Sequence, residues 1–315
     1  MSDPTNSPAP SPAIVQPANP RCGFVAILGA TNAGKSTLVN TLVGTKVTIV
    51  SHKVQTTRMP IRGIAMVGDS QLVFIDTPGI FRPRRRLDRA MVKAAWGGAR
   101  DADVVVFLFD AQKDIDADTK ATVARLGEVK AKRVLALNKV DTIKKERLFG
   151  LATQFNEAIA FDQTFMISAL DGRGVEDLKK YLGAHVPAGD WHYPPEDVSD
   201  LPLRLLAAEI TREKVFDRLH QELPYAATVE TTAWKDMGAK GVRIEQTIFV
   251  TRESQRAIVL GDGGRTIKTL SMAARQDLAG IVEREVHLFL HVKVQDNWAD
   301  DPQRYRDLGL EYPSE

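Results

Sequence analysis

Eight consecutive residues, Gly29-Ala30-Thr31-Asn32-Ala33-Gly34-Lys35-Ser36, spell G-x-x-x-x-G-K-S. Glycines at that spacing let backbone N–H groups turn inward on a phosphate chain, and a helix start behind them adds partial positive charge. Lys35 would reach the β- and γ-phosphates, the Ser36 hydroxyl would ligate Mg2+, and Thr37 opens the helix behind them. The octet implies a nucleoside triphosphate. Forty residues after Ser36 comes Asp76-Thr77-Pro78-Gly79, with a carboxylate to stand in or behind the Mg2+ shell and a glycine N–H for the γ-phosphate. Asn138-Lys139-Val140-Asp141 follows. The Asp141 carboxylate can accept from guanine N1–H and the exocyclic amine, a donor pair adenine lacks. Lys139 can lay its stem over the base, and Asn138 can tie this loop to the phosphate loop. In Ser168-Ala169-Leu170 the Ala169 N–H would meet guanine O6.

Most of these motifs stand at the end of an apolar run: 24–28, 72–75, 134–137 and 165–167, with a further run at 104–109. Such runs separated by helix-length segments imply a mostly parallel sheet buried on both faces, with ligands beyond its carboxyl ends. Val186-Pro187-Ala188-Gly189 then breaks the pattern, and 187–202 reads as a linker with Pro194-Pro195 and the acidic residues Glu196, Asp197 and Asp200. Beyond it the order is α-β-β-α-α-β. A helix fits 203–219, strands fit 227–233 and 243–250, helices fit 265–283, and a last strand fits 286–294. Between the middle strand and a helix sits Gly261-Asp262-Gly263-Gly264, preceded by Ile258-Val259-Leu260. A G-x-x-G loop there looks like the clamp of a KH domain, which admits a nucleic-acid backbone closely. Arg265 and Lys268 are the cations beside it.

The 315 residues carry a net charge of +2, and 43% are hydrophobic, enough for two domains with their own cores. Cys22 is the only cysteine, which excludes an internal disulfide, and the six histidines lack metal-ligand spacing. Residues 1–20 hold six prolines and no Lys or Arg, the composition of a disordered leader. No apolar run approaches the ~18 residues of a membrane span. A cytoplasmic protein is expected, with peripheral contact at the inner membrane left open. Lys and Arg number 14 against 13 Asp and Glu between residues 201 and 298, so RNA binding rests on loop geometry and not on bulk charge.

The boxes at 29–36, 76–79, 138–141 and 168–170, with Val54-Gln55-Thr56-Thr57-Arg58 as a first switch, resemble translation-factor-class GTPases of the Era type. With the G-x-x-G half, the resemblance covers nearly the whole chain. It implies an α/β P-loop (Ras-like) GTPase domain over 21–186, followed by an α+β type II KH domain over 203–298 and a tail over 299–315. It also implies GTP hydrolysis to GDP through Lys35, Thr57 and Gly79, and Mg2+ held by Ser36, Asp76 and a switch threonine that falls on Thr57, with Thr56 as the alternative. The partners implied are the 3′ end of 16S ribosomal RNA and the assembling 30S subunit, bound by a monomer.

Two departures and two open readings matter. Ile80 and Phe81 stand where Ras-like enzymes place a water-orienting glutamine, so slow intrinsic hydrolysis is expected. Asn32 has two readings, a K+ ligand beside the phosphates or a support for loop geometry. Asp262 puts a carboxylate where the family usually carries lysine. Arg82, Arg84, Arg85 and Arg86 either meet phosphate on a partner or form a solvated loop.

Overall fold

The computed structural model describes residues 14–219 and 222–313; most of the expected leader, residues 1–13, lies outside them. The first half runs β1 (Arg21–Leu28), α1 (Lys35–Val43), β2 (Ile61–Val67), β3 (Ser70–Asp76), α2 (Arg86–Asp101) and β4 (Val104–Asp110). It continues through α3 (Ala117–Leu126), β5 (Lys132–Asn138), α4 (Lys145–Ala158), β6 (Gln163–Met166) and α5 (Val175–His185). Among the described residues these strands form a six-stranded sheet in the order β2-β3-β1-β4-β5-β6, parallel except for the antiparallel β2–β3 pair. All seven residues of β4, Val104-Val105-Val106-Phe107-Leu108-Phe109-Asp110, are buried. Helices cover both faces of the sheet, so the strand needs no polar alternation. Period two still sorts the side chains. Val104, Val106 and Leu108 pack with α1 and α5, whereas Val105, Phe107 and Phe109 pack with α2, α3 and α4.

β2 has no counterpart among the strands expected from the sequence. Gly63 interrupts its apolar pattern because α1 crosses there: a Cβ on Gly63 would lie 2.7 Å from Val43 Cγ2. The segment read as a linker is strapped to the edge of the sheet. The Gln71 amide oxygen accepts from the His192 and Tyr193 N–H groups, and the Ile64 N–H donates to the Val198 carbonyl at 2.9 Å. Arg62 pairs with Asp200 at 2.8 Å.

The second half contains α6 (Leu203–Arg218), β7 (Ala227–Asp236), β8 (Val242–Val250), α7 (Glu253–Leu260), α8 (Arg265–Val282), β9 (Val286–Val294) and the short α9 (Pro302–Asp307). Its sheet runs β7-β8-β9, antiparallel then parallel. Ile258-Val259-Leu260 ends α7 and is not a strand, so the glycine loop joins two helices. That run is ambiguous by periodicity alone, and only the capping of Arg252 by Gln255 marks a helix start upstream.

Candidate functional site

The glycine-rich octet leaves β1 and enters α1, whose N-cap residue, Gly34, has φ 99° and offers no side-chain cap. The first amides of α1 therefore stay available to an anion. A Cβ on Gly34 would lie 2.4 Å from Asn138 Nδ2. That closeness is functional geometry, because Asn138 joins three loops. Its Nδ2 donates to the Ala33 carbonyl at 2.8 Å, and its Oδ1 accepts from the Ala169 N–H at 2.9 Å.

Lys35 is buried and folds back on its own loop, donating to the carbonyls of Gly29 at 3.2 Å and Ala30 at 2.9 Å. Burial pulls its pKa down to about 8, against the opposing pull of Asp76. Three oxygens converge one turn on. The Ser36 hydroxyl lies 2.9 Å from Thr57 Oγ1 and donates to Asp76 Oδ2 at 2.7 Å, and Thr57 Oγ1 is 3.3 Å from the same carboxylate oxygen. Thr48 also donates to it at 2.8 Å. Asp76 Oδ1 is buried with no hydrogen-bond partner among the described residues, and desolvation raises the Asp76 pKa.

A cavity of about 490 Å3 opens over this cluster. Thr31, Asn32, Thr37 and Gly79 line one end, and Lys139, Asp141, Ser168 and the exposed Leu170 line the other. Lys139 is held by Asp110 at 2.7 Å. Gly29, Ala30, Ala33 and Pro78 do not line the cavity, and the Thr77 hydroxyl turns away to the Ile27 carbonyl. Asn32 donates to the His52 carbonyl at 2.8 Å. Asp110, Thr48 and His52 went unread in the sequence because none stands in a spaced motif.

The switch loop rests on the second half of the chain. The Val50 N–H donates to Glu213 at 2.8 Å, Lys53 reaches the Phe216 and Leu219 carbonyls at the end of α6, and buried Arg58 donates to the Ala227 carbonyl at 2.9 Å. From the arginine loop, Arg82 pairs with Asp118 and Arg86 with Asp300.

At the other pole, Gly263 (φ 58°) and Gly264 (φ 77°) have open space where a Cβ would stand, leaving room for a backbone to approach. Asp262 pairs with Arg265 at 2.7 Å, both largely exposed, and Lys268 is exposed one turn on. Beside the loop lies a groove of about 360 Å3 lined by Arg218 of α6 and by Arg252, Gln255 and Ile258 of α7 and its N-cap, residues far apart in the chain and missed in the sequence.

Residues 24–139 match the family model described as a 50S ribosome-binding GTPase, and residues 222–299 match a KH domain. The chain is 59% identical over 293 residues to the GTPase Era of Rhizobium meliloti (strain 1021), covering 93% of this chain and 94% of that one. It is 55% identical to the GTPase Era of Brucella suis biovar 1 (strain 1330), covering 98% and 99%. A solved structure of Era in complex with MgGDPNP and nucleotides 1506–1542 of 16S ribosomal RNA matches with a TM-score of 0.87 at 34% identity, over 92% of this chain and 99% of that one. With such identity sustained through both halves, the chain belongs to the Era family of GTPases.

Proposed function

We propose that the chain is a GTP-driven switch that grips the 3′ end of 16S ribosomal RNA and acts in assembly of the 30S subunit. One observation carries the reading: the loop that brings Thr57 to Ser36 and Asp76 is also the loop docked on the RNA-binding half. A loop ordered by the γ-phosphate and packed on a second domain converts nucleotide state into domain arrangement. The RNA in the solved relative's complex supplies the ligand class. In this reading 21–186 is the GTPase unit, 187–202 the connecting strap, 203–298 the KH unit and 299–315 the tail.

The amides of the octet and Lys35 hold the phosphates, Gly79 N–H meets the γ-phosphate, and Asp141 with Ala169 reads guanine. Ser36, Thr57 and Asp76 fit Mg2+. Two cis oxygens each ~2.1 Å from an octahedral Mg2+ stand about 3 Å apart, close to the 2.9 Å between the two hydroxyls. The unpartnered Asp76 Oδ1 offers a further acceptor for the metal shell. Bound there, Mg2+ neutralises charge developing between the β- and γ-phosphates.

Neither Ile80 nor Phe81, the two residues after Gly79, has a polar side chain to orient the attacking water. The Ile80 N–H is tied to the Gly29 carbonyl at 3.0 Å, and its side chain packs in the apolar cluster. Intrinsic hydrolysis is therefore slow, and single-turnover assays showing fast hydrolysis by the protein alone would overturn this. Asn32 and the His52 carbonyl also suit K+ once the amide is turned to present its oxygen; equal turnover in K+ and Na+ would remove that role.

No helix among the described residues is long and apolar enough to cross a membrane. The proposed molecule is a cytoplasmic monomer whose contact with the inner membrane, where it occurs, is peripheral. Fluorescence anisotropy with a 3′-terminal 16S fragment tests the RNA grip. Tight binding over a scrambled sequence at moderate salt is expected, and equal binding of the two would defeat the reading.

A further inference from the structure

Among the bonds that tie the switch loop to α6 and its surroundings, one lies a single peptide bond from the metal-site threonine. Arg212, on α6, donates through Nη2 to the Thr56 carbonyl at 2.6 Å. The side chain is buried and its direction is set within its own helix. Glu209, three residues earlier, accepts from Nε at 2.8 Å and also from Nη2, and the guanidinium lies 5.2 Å from the Phe216 ring. The ion pair thus belongs wholly to the RNA-binding half, and from it the guanidinium reaches across to the backbone that carries Thr57.

We infer that Arg212 is a positioning residue for Thr57, by which the RNA-binding half holds the switch loop in its triphosphate arrangement. The inference rests on the reading of Thr57 as a ligand in the Mg2+–GTP site. Ordering a loop segment costs about 1–2 kcal/mol per residue of backbone entropy, and the γ-phosphate supplies contacts to offset it. A charge-assisted hydrogen bond to the adjacent carbonyl lowers the same cost from the other side. GDP has no γ-phosphate and does not draw on Thr57, so GDP affinity is independent of this bond. The nucleotide that senses Arg212 is the triphosphate. By reciprocity, the triphosphate tightens domain docking through the same bond.

Removing Arg212 alone strands Glu209 in the interior and risks the fold, whereas replacing both members of a buried pair by apolar residues is often tolerated. The test therefore uses the full chain carrying Glu209→Leu with Arg212→Met. Arg212→Lys serves as a second variant that keeps the charge, and Arg62→Ala as an exposed control. Affinities for GDP and for a non-hydrolysable GTP analogue are measured by fluorescent-nucleotide titration without RNA, across a range of Mg2+ concentrations. In the double variant the expected result is an analogue-to-GDP affinity ratio lower by about tenfold or more, the effect typical of losing a charged hydrogen bond. GDP affinity is unchanged, and the analogue needs more Mg2+. Arg212→Lys should fall between the double variant and the unaltered chain. A ratio and Mg2+ requirement that stay at the unaltered values in the folded double variant overturn the inference, and so does an equal loss for both nucleotides. Because RNA is absent, this outcome is read separately from the proposed RNA grip.

Discussion

Lys35 shows how one buried cation makes binding depend on pH. In the nucleotide-free chain its ammonium is desolvated, with two carbonyls and nearby Asp76 in place of phosphates, and its pKa falls to about 8. A bound triphosphate adds opposite charge and raises that pKa, so the complex retains the proton as the free protein loses it. Affinity is therefore level below pH 8 and falls above it. The expected loss is about tenfold between pH 7 and 9, since one pKa unit corresponds to a tenfold change. Nucleotide titrations across that range check it; a level profile would mean Lys35 stays charged in the free site. Asp262 carries the opposite problem at the RNA loop, where its carboxylate occupies Arg265. Both side chains are solvated, so the pair adds little stability, yet it withholds one cation from RNA and adds one anion. Asp262→Lys should tighten single-stranded RNA binding and steepen its salt dependence, by roughly 0.7 in the log–log slope for each additional phosphate neutralised. An unaltered slope would place the RNA path away from this loop.

At the scale of elements, the loop ends of β1, β3 and β5 were legible because each apolar run delivers a motif with fixed spacing. Gly34 shows how tightly those ends are joined. Gly34→Ala would force a Cβ into Asn138 Nδ2 at 2.4 Å and strain a backbone at φ 99°. The displaced amide would leave the Ala33 carbonyl and Ala169 N–H without their partner. A loss of about 1–3 kcal/mol in stability is expected, with nucleotide affinity falling at least tenfold. Thermal melts and titrations check both, and normal binding would show that the three loops hold together without Asn138. α6 was legible only in part. Its apolar stripe of Leu205, Leu206, Ile210 and Phe216 was plain, though Leu205 is only half-buried, but Glu209, Arg212 and Glu213 look solvated in sequence and are buried. A helix covered on one side by its own sheet and on the other by a second domain loses its polar face, and no local pattern records the second covering. β2 escaped for a related reason, since Gly63 answers to α1 and not to strand propensity.

For the whole molecule, the RNA-binding half holds both the first-switch loop and the segment after Gly79. α6 anchors the loop that carries Thr57, while the tail after β9 covers the segment after Gly79: Tyr305 and Leu310 pack with Met91 of α2 and with Phe81 and Leu87. Tyr305 is 1% exposed, donates to the Ala299 carbonyl at 2.9 Å, and has its phenol pKa pushed up to about 12, chiefly by burial. The cluster lies between the halves and outside either main core, so its loss should uncouple them before it unfolds either. Tyr305→Ala removes a buried ring, a change that costs about 3–5 kcal/mol where the surroundings cannot collapse. The expected calorimetric result is that one cooperative transition separates into two, with the RNA-binding half melting first because its three-stranded sheet has the smaller core. The same variant should weaken the coupling between RNA and GTP-analogue binding that the proposed switch requires, since coupling between sites requires an element that both bias. A single transition at nearly the original temperature, with RNA coupling intact, would mean that α6 alone joins the halves and that the tail merely fills a surface.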